Sequence, residues 1–180
     1  MFGTGVKNSA ERSGTRTINR ENSRRSDDYH SSTNPTHVMT TEEENKAIAR
    51  RVPEDIATQG NIDLIDELTT DNPVEHGAFG EIRGRDAIKG MMTDMRSAIP
   101  DFSATVEDIL AEDDRVAMRV TLRGTHDGGE IMGLEPTGRT FEIPNMVITR
   151  MEDGKIAERW QVADNLMLME QLGAVDGPDE

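Results

Sequence analysis

The stretch GKIAERWQVADNLMLMEQLG, residues 154–173, holds the only tryptophan of the chain and a carboxylate four residues beyond it. Ile156, Glu158, Trp160, Val162 and Asp164 recur every second residue. On a strand, that spacing puts all five side chains on one face. If this face is the covered one, Asp164 lies against an indole in apolar surroundings. Burial disfavours the charged carboxylate and raises its pKa above the usual value of about 3.9. Such an acid can exchange a proton with a substrate carbon or oxygen near neutral pH. The same position also suits the N-cap of a helix beginning at Asn165 and stopped by Gly173, a common task for aspartate. Spacing alone leaves both roles open.

Other residues could complete a site. His76 ends a short extended piece, NPVEH, and is a candidate acid, base or donor to an oxyanion, or else a structural histidine. His126, in RGTHDGG, falls in phase with the inward side of its strand, and the adjoining glycines suggest the mouth of a loop. Asn145 is polar within a buried-looking strand. Met91, Met92 and Met95 share one helix face, as core or as the soft wall of a pocket for a flat or greasy ligand. Arg119, Arg123 and Arg150 could orient an enolate, although outward strand positions are ordinarily solvated. The sequence shows no His/Asp/Glu set at metal-ligand spacing and no nucleotide-binding glycine loop, since GVKNSAERSG follows no strand. A metal or cofactor is therefore not expected.

The elements that must hold these residues follow from periodicity. Ile48, Val52 and Ile56 form a helical stripe that Pro53 should kink or divide. NIDLIDELTT suggests a shorter second helix after Gly60. A third runs from Arg85 to Ala98, opened by Gly84 and stopped by Pro100. From Phe102 the period becomes two. DFSATVEDIL, RVAMRVTLRGTH, TFEIPNMVITRM and KIAERWQVA are strands, the last two joined by the MEDGK turn. Helices followed by consecutive strands indicate an α+β domain, a curved antiparallel sheet closed by about three N-terminal helices, with a short C-terminal helix.

With 180 residues, the chain is the size of one domain plus a tail. Residues 1–38 are rich in Ser, Thr, Asn and Arg without period and are expected to be disordered. The domain is expected over 39–176, with a flexible 177–180. Met39 precedes a capping-box-like TTEEE and is a candidate natural start. Of 20 Lys/Arg and 35 Asp/Glu, six and four fall in residues 1–40, leaving 14 and 31 in residues 41–180, a balance of −17. Such acidity repels phosphates and anionic lipid, so neither nucleic acid nor membrane is an expected partner. It fits a solvated surface or a salt-loving host. The absence of cysteine, of a signal segment and of a long apolar run fits a cytoplasmic protein.

In order, NKAIARR, GNIDLIDEL, VEHGAFGEIRGRDAIKGMM, IPDFSATVEDILAEDDRVAMRVTLRGTHDGGEIMGLEPTGRTFEI and RMEDGKIAERWQVADNLMLMEQLGA resemble the SnoaL-like polyketide cyclase family, also called ester cyclases. The resemblance covers about residues 42–175. It implies the nuclear transport factor two-like cone, a deep pocket and a homodimer. It further implies a small apolar or carbonyl-containing ligand and cofactor-independent aldol cyclisation or related proton transfer. By the W-x-x-x-D motif it implies that Asp164 is the acid/base, with His76 lining the pocket. The polar partners that the cyclases carry on the preceding strand fall here near Ile148 and Arg150, so that hydrogen-bond set differs. An epoxide-hydrolase-like enzyme or a non-catalytic binding or dimerisation module are the alternative readings.

Overall fold

The computed structural model describes residues 41–78 and 80–176. The expected tail, the Met39 start and the chain end at 177–180 lie outside these residues. Helix α1 (Thr41–Arg51) opens with three glutamates and closes with Arg50 and Arg51, charges that complement the helix dipole. At Pro53 the α-helical pattern gives way to a π-helical stretch, Val52–Thr58. Proline removes one backbone donor and crowds the preceding turn, and the wider π turn accommodates both. The expected division of the first helix takes this form. Helix α2 (Leu64–Leu68) is a single short turn, and α3 (Arg85–Ala98) has the bounds its periodicity predicts.

The strands are β1 (Thr69–Gly77), β2 (Gly80–Arg83), β3 (Ser103–Glu112), β4 (Arg115–Thr125), β5 (Thr140–Glu152) and β6 (Lys155–Ala163). Helix α4 (Asn165–Leu172) ends the fold. The six strands form one curved sheet in the order β2-β1-β6-β5-β4-β3. Four of the five pairings are antiparallel; β1 and β6 run parallel. The all-antiparallel expectation therefore needs correction at this pair. The extended piece NPVEH is part of a full strand, and β2, only four residues long, carries too little pattern to be recognised from sequence.

Alternation along β4 is as expected: Val116, Met118 and Val120 are buried and Arg115 and Arg119 are exposed. These side chains meet Ala49, Val52 and Ile56 from the first helical run and Ile88 and Met92 from α3 in a single core. Each fully buried aliphatic side chain contributes about 1.5–3 kcal/mol.

One irregularity decides which residues reach the inner face. Met151 pairs with Ile156, but Arg150 pairs with Glu158, so Ala157 is an extra residue in β6. This is a β-bulge, and Ile156 and Ala157 are both buried. A one-residue shift moves every later side chain to the opposite face. Beyond the bulge it is Arg159, Gln161 and Ala163 that point inward. Trp160 and Val162 are on the outer face.

Candidate active site

Between the helices and the inner face of the sheet lies a cavity of about 510 Å³. Its walls are apolar: Met91, Met92 and Met95 from α3, Met118 and Val120 from β4, Phe141 and Ile143 from β5. The π-helical stretch adds Val52, Pro53 and Ala57. Four polar side chains from three neighbouring strands are also among the lining, as two hydrogen-bonded pairs: Glu75 of β1 with Arg159 of β6, and Asn145 of β5 with Gln161 of β6.

Glu75 and Arg159 are register partners in the parallel pair, and both are inward. Glu75 is 2% exposed; Arg159 Nη1 donates to its Oε2 at 3.0 Å. Asn145 Nδ2 donates to Gln161 Oε1 at 3.3 Å. Gly77 leaves room for this glutamine, because a Cβ there would come within 3.2 Å of Gln161 Cγ. Glu75 Oε1, Arg159 Nε and Asn145 Oδ1 have no hydrogen-bond partner in the protein. Burial pushes the Glu75 carboxyl above the usual carboxylate range, and the Arg159 charge and hydrogen bond offset part of that rise. The result is a buried carboxyl on the wall of an apolar cavity, with one oxygen engaged by a guanidinium and the other unengaged. That set can take up a proton and stabilise an adjacent negative oxygen.

The residues expected from sequence separate into three groups. Asn145 and Met92 line the cavity. His126 is fully buried, with Nε2 2.8 Å from the Gly129 carbonyl, and is not among the lining residues. Trp160, Val162, His76 and Asp164 are not among the lining residues; the β6 bulge corrects the expectation that Trp160, Val162 and Asp164 share the cavity's face, and His76, on β1, departs for a separate reason. His76 follows inward-facing Glu75 and so projects outward. It stacks on Trp160, rings 5.5 Å apart and 4° from parallel. Its Nε2 lies 2.8 Å from Glu158 Oε1, and the Glu158 carboxyl is held below the usual range by that contact and by Arg150. The Arg115 guanidinium also sits over the indole ring, 5.2 Å from its centroid. Asp164 is exposed, and its Oδ1 accepts from the Met167 N–H at 2.9 Å as the N-cap of α4.

Glu75, Arg159 and Gln161 were not legible as site residues. Glu75 sits in the same NPVEH piece as His76, one residue off the side chain that drew notice. The arginines singled out from sequence, Arg119, Arg123 and Arg150, pair on the outer face with Asp108, Glu142 and Glu152. Among the described residues, no group of three or more His, Asp or Glu could hold a metal ion, and no helix is long and apolar enough to cross a membrane.

Comparison with known proteins agrees with this architecture. AclR from Streptomyces galilaeus, a candidate hydroxylase, is 29% identical; the match covers 78% of this chain and 87% of AclR, with a TM-score of 0.68. IdmH from Streptomyces antibioticus, a candidate polyketide cyclase, is 32% identical over 72% of this chain and 98% of IdmH, with a TM-score of 0.62. A SnoaL-like candidate cyclase from Jannaschia sp. CCS1 shares the fold, with a TM-score of 0.70 at 21% identity, over 77% of this chain and 97% of its own. No curated protein sequence matches the chain. The model of the SnoaL-like polyketide cyclases matches residues 47–172, from α1 through the last residue of α4. With that match on a nuclear transport factor two-like sheet and helix order, the chain belongs to the SnoaL-like polyketide cyclase family.

Proposed function

We propose that this protein is a cofactor-independent acid/base enzyme acting on an uncharged carbonyl or ester compound, by aldol cyclisation or a related proton transfer, with Glu75 as the acid/base. One observation carries the reading: a carboxyl 2% exposed, facing an apolar cavity, with Oε1 unpartnered. Glu75 Oε1 removes a proton from the carbon next to the substrate carbonyl. The electron pair passes to the carbonyl oxygen, and the Arg159 guanidinium is the donor assigned to stabilise it. The enolate carbon attacks a second carbonyl of the same molecule, and the proton on Glu75 returns to the new alkoxide. Asn145 and Gln161 orient the substrate. Asp164, engaged at the helix cap, is not assigned this task.

The test is deuterium uptake at the activated carbon of neutral 1,3-diketones and β-keto esters, followed by NMR. Glu75→Gln is expected to lower the exchange rate by about 10²–10⁴-fold, and Asp164→Asn to leave it unchanged. The acid limb of the wild-type pH profile should fall above the ordinary carboxylate range, since the unprotonated carboxylate is the base and burial raises its pKa. Loss of exchange in Asp164→Asn with retention in Glu75→Gln would overturn the assignment. Binding of the same compounds without exchange in the wild type would favour the non-catalytic module.

The homodimer is proposed on a separate observation. On the outer face, Leu110, Ala117, Ile148 and Trp160 stand in one cross-strand row, and Met146 pairs with Val162 in the next. Leu110 is 72% exposed and Val162 74%, a contiguous apolar strip that a second copy would cover. Sedimentation should give a dimer for the wild type and a monomer for the Ile148→Glu/Val162→Glu variant. A monomeric wild type at high micromolar concentration would dismiss the idea.

A further inference from the structure

His126 is the one polar candidate that neither the catalytic reading nor the outer face uses, and it holds both ends of a loop. The loop runs from Asp127 to Gly138, between β4 and β5. The His126 N–H donates to the Arg139 carbonyl at 2.9 Å, and its own carbonyl accepts from Thr137 N and Gly138 N at 3.0 and 2.8 Å. The ring reaches the other end of the loop, 2.8 Å from Gly129 O. A carbonyl oxygen only accepts, so Nε2 carries the proton and donates. Nδ1 has no partner, and the residue is fully buried.

Beside this anchor, Gly128 N–H donates to Ala98 O at the end of α3. The fit there is tight: a Cβ on Gly128 would meet the Ser97 carbonyl at 1.9 Å. The far part of the loop is different. Ile131 and Leu134 exchange two backbone hydrogen bonds with each other, closing a turn whose two central residues, Met132 and Gly133, both have positive φ. Glu130, Ile131 and Met132 form part of the cavity lining, and Met132 is half exposed. A small self-bonded hairpin, pinned at its base and forming the exposed wall of an apolar chamber, has the local economy of contacts that permits opening.

We propose that residues 127–138 are a hinged strap over the mouth of the cavity, and that His126 is its clasp, a positioning residue that sets the rate of ligand entry. This holds whatever chemistry Glu75 performs.

The absence of cysteine from the chain makes the test direct. Met118 lines the cavity and is 1% exposed; Val116 is 0% exposed and is not among the lining residues. The rate at which uncharged 4,4′-dithiodipyridine labels the thiol of an M118C variant reports opening of the cavity, and V116C reports opening of the core. Adding His126→Phe, which keeps a ring but removes the donor, should speed M118C labelling about tenfold and leave V116C unaffected. His126→Gln retains a donor near the Nε2 position and should restore most of the protection. Unchanged M118C labelling, or equal acceleration of V116C, would overturn the proposal. Amide exchange in the unsubstituted protein provides an arm that survives a misfolded variant. The Ile131 and Leu134 amides should exchange together and well before those of β4 and β5; exchange no faster than the sheet rules the hinge out.

Discussion

Two side-chain pairs, each a carboxyl with a nitrogen partner, sit back to back across the β1/β6 ladder. Glu75 and Arg159 meet on the inner face, and His76 and Glu158, their immediate chain neighbours, meet on the outer face. The pairing chemistry is similar and the solvent is not. Inside, the carboxyl of Glu75 is driven above the usual range by burial; outside, that of Glu158 is drawn below it by its hydrogen-bond partners. One residue of strand travel therefore reverses the direction of the shift. Only the inner pair lies on the wall of the cavity.

Breaking the inner pair should have the largest effect. Arg159→Met leaves a buried carboxylate uncompensated and should cost about 3–5 kcal/mol at neutral pH, measured by urea unfolding. The sign with pH follows from linkage. A carboxyl whose folded-state pKa is raised contributes stability below its unfolded pKa and loses it as pH rises through the folded value. Removing the guanidinium raises that value further, so the variant's deficit should shrink on acidification. Adding Glu75→Gln should recover much of the loss at neutral pH. A deficit independent of pH would mean that packing of the arginine stem, not charge, accounts for it.

The helix cap comes next. Asp164→Ala removes the acceptor for the Met167 N–H and should destabilise by about 1 kcal/mol, whereas Asp164→Asn, itself a good cap, should cost only a few tenths. An effect on deuterium exchange larger than the effect on stability would return Asp164 to the catalytic discussion. The smallest change is expected on the outer face. His76→Phe keeps a ring against Trp160 but gives up the contact to Glu158, and its stability loss should be below that of Arg159→Met and of Asp164→Ala and fade with added salt. Because the Glu158 pKa is depressed, its contribution is present above the unfolded value and disappears as pH falls through the folded one. Opposite pH trends for the inner and outer variants would sharpen the contrast; parallel trends would dissolve it.

Much of the fold was legible because long elements carry redundant signals. The bounds of α3 follow from five apolar positions, Gly84 and Pro100, and β4 from a clean alternation of Val116, Met118 and Val120 with Arg115, Ala117, Arg119 and Thr121. The effect of Pro53 was legible as a break, though not as a π-helix, because the remedy depends on what packs around it. The site was less accessible for a specific reason. Reading β6 as regular from Ile156 onward places Trp160, Val162 and Asp164 in the cavity. The bulge at Ala157 is set by pairing with Arg150 and Met151, strand-to-strand information that a single strand's sequence does not carry. The parallel partnership of β1 with β6, more than eighty residues apart, is equally non-local. Asn145 and Met92 were placed on the cavity because their elements contain no such slip before them.

The bulge also bears on how relatives are compared. An aligned column pairs residues by order along the chain, while the chamber is furnished by whichever side of the strand turns inward. Two relatives can share Trp160 and Asp164 and yet present different groups to a substrate if only one carries the extra residue at 157. A single insertion or deletion there exchanges the interior inventory of β6 wholesale, with no change in its amino-acid vocabulary. Which side chains of β6 furnish the chamber thus depends on the count of residues before them as much as on the motif they belong to.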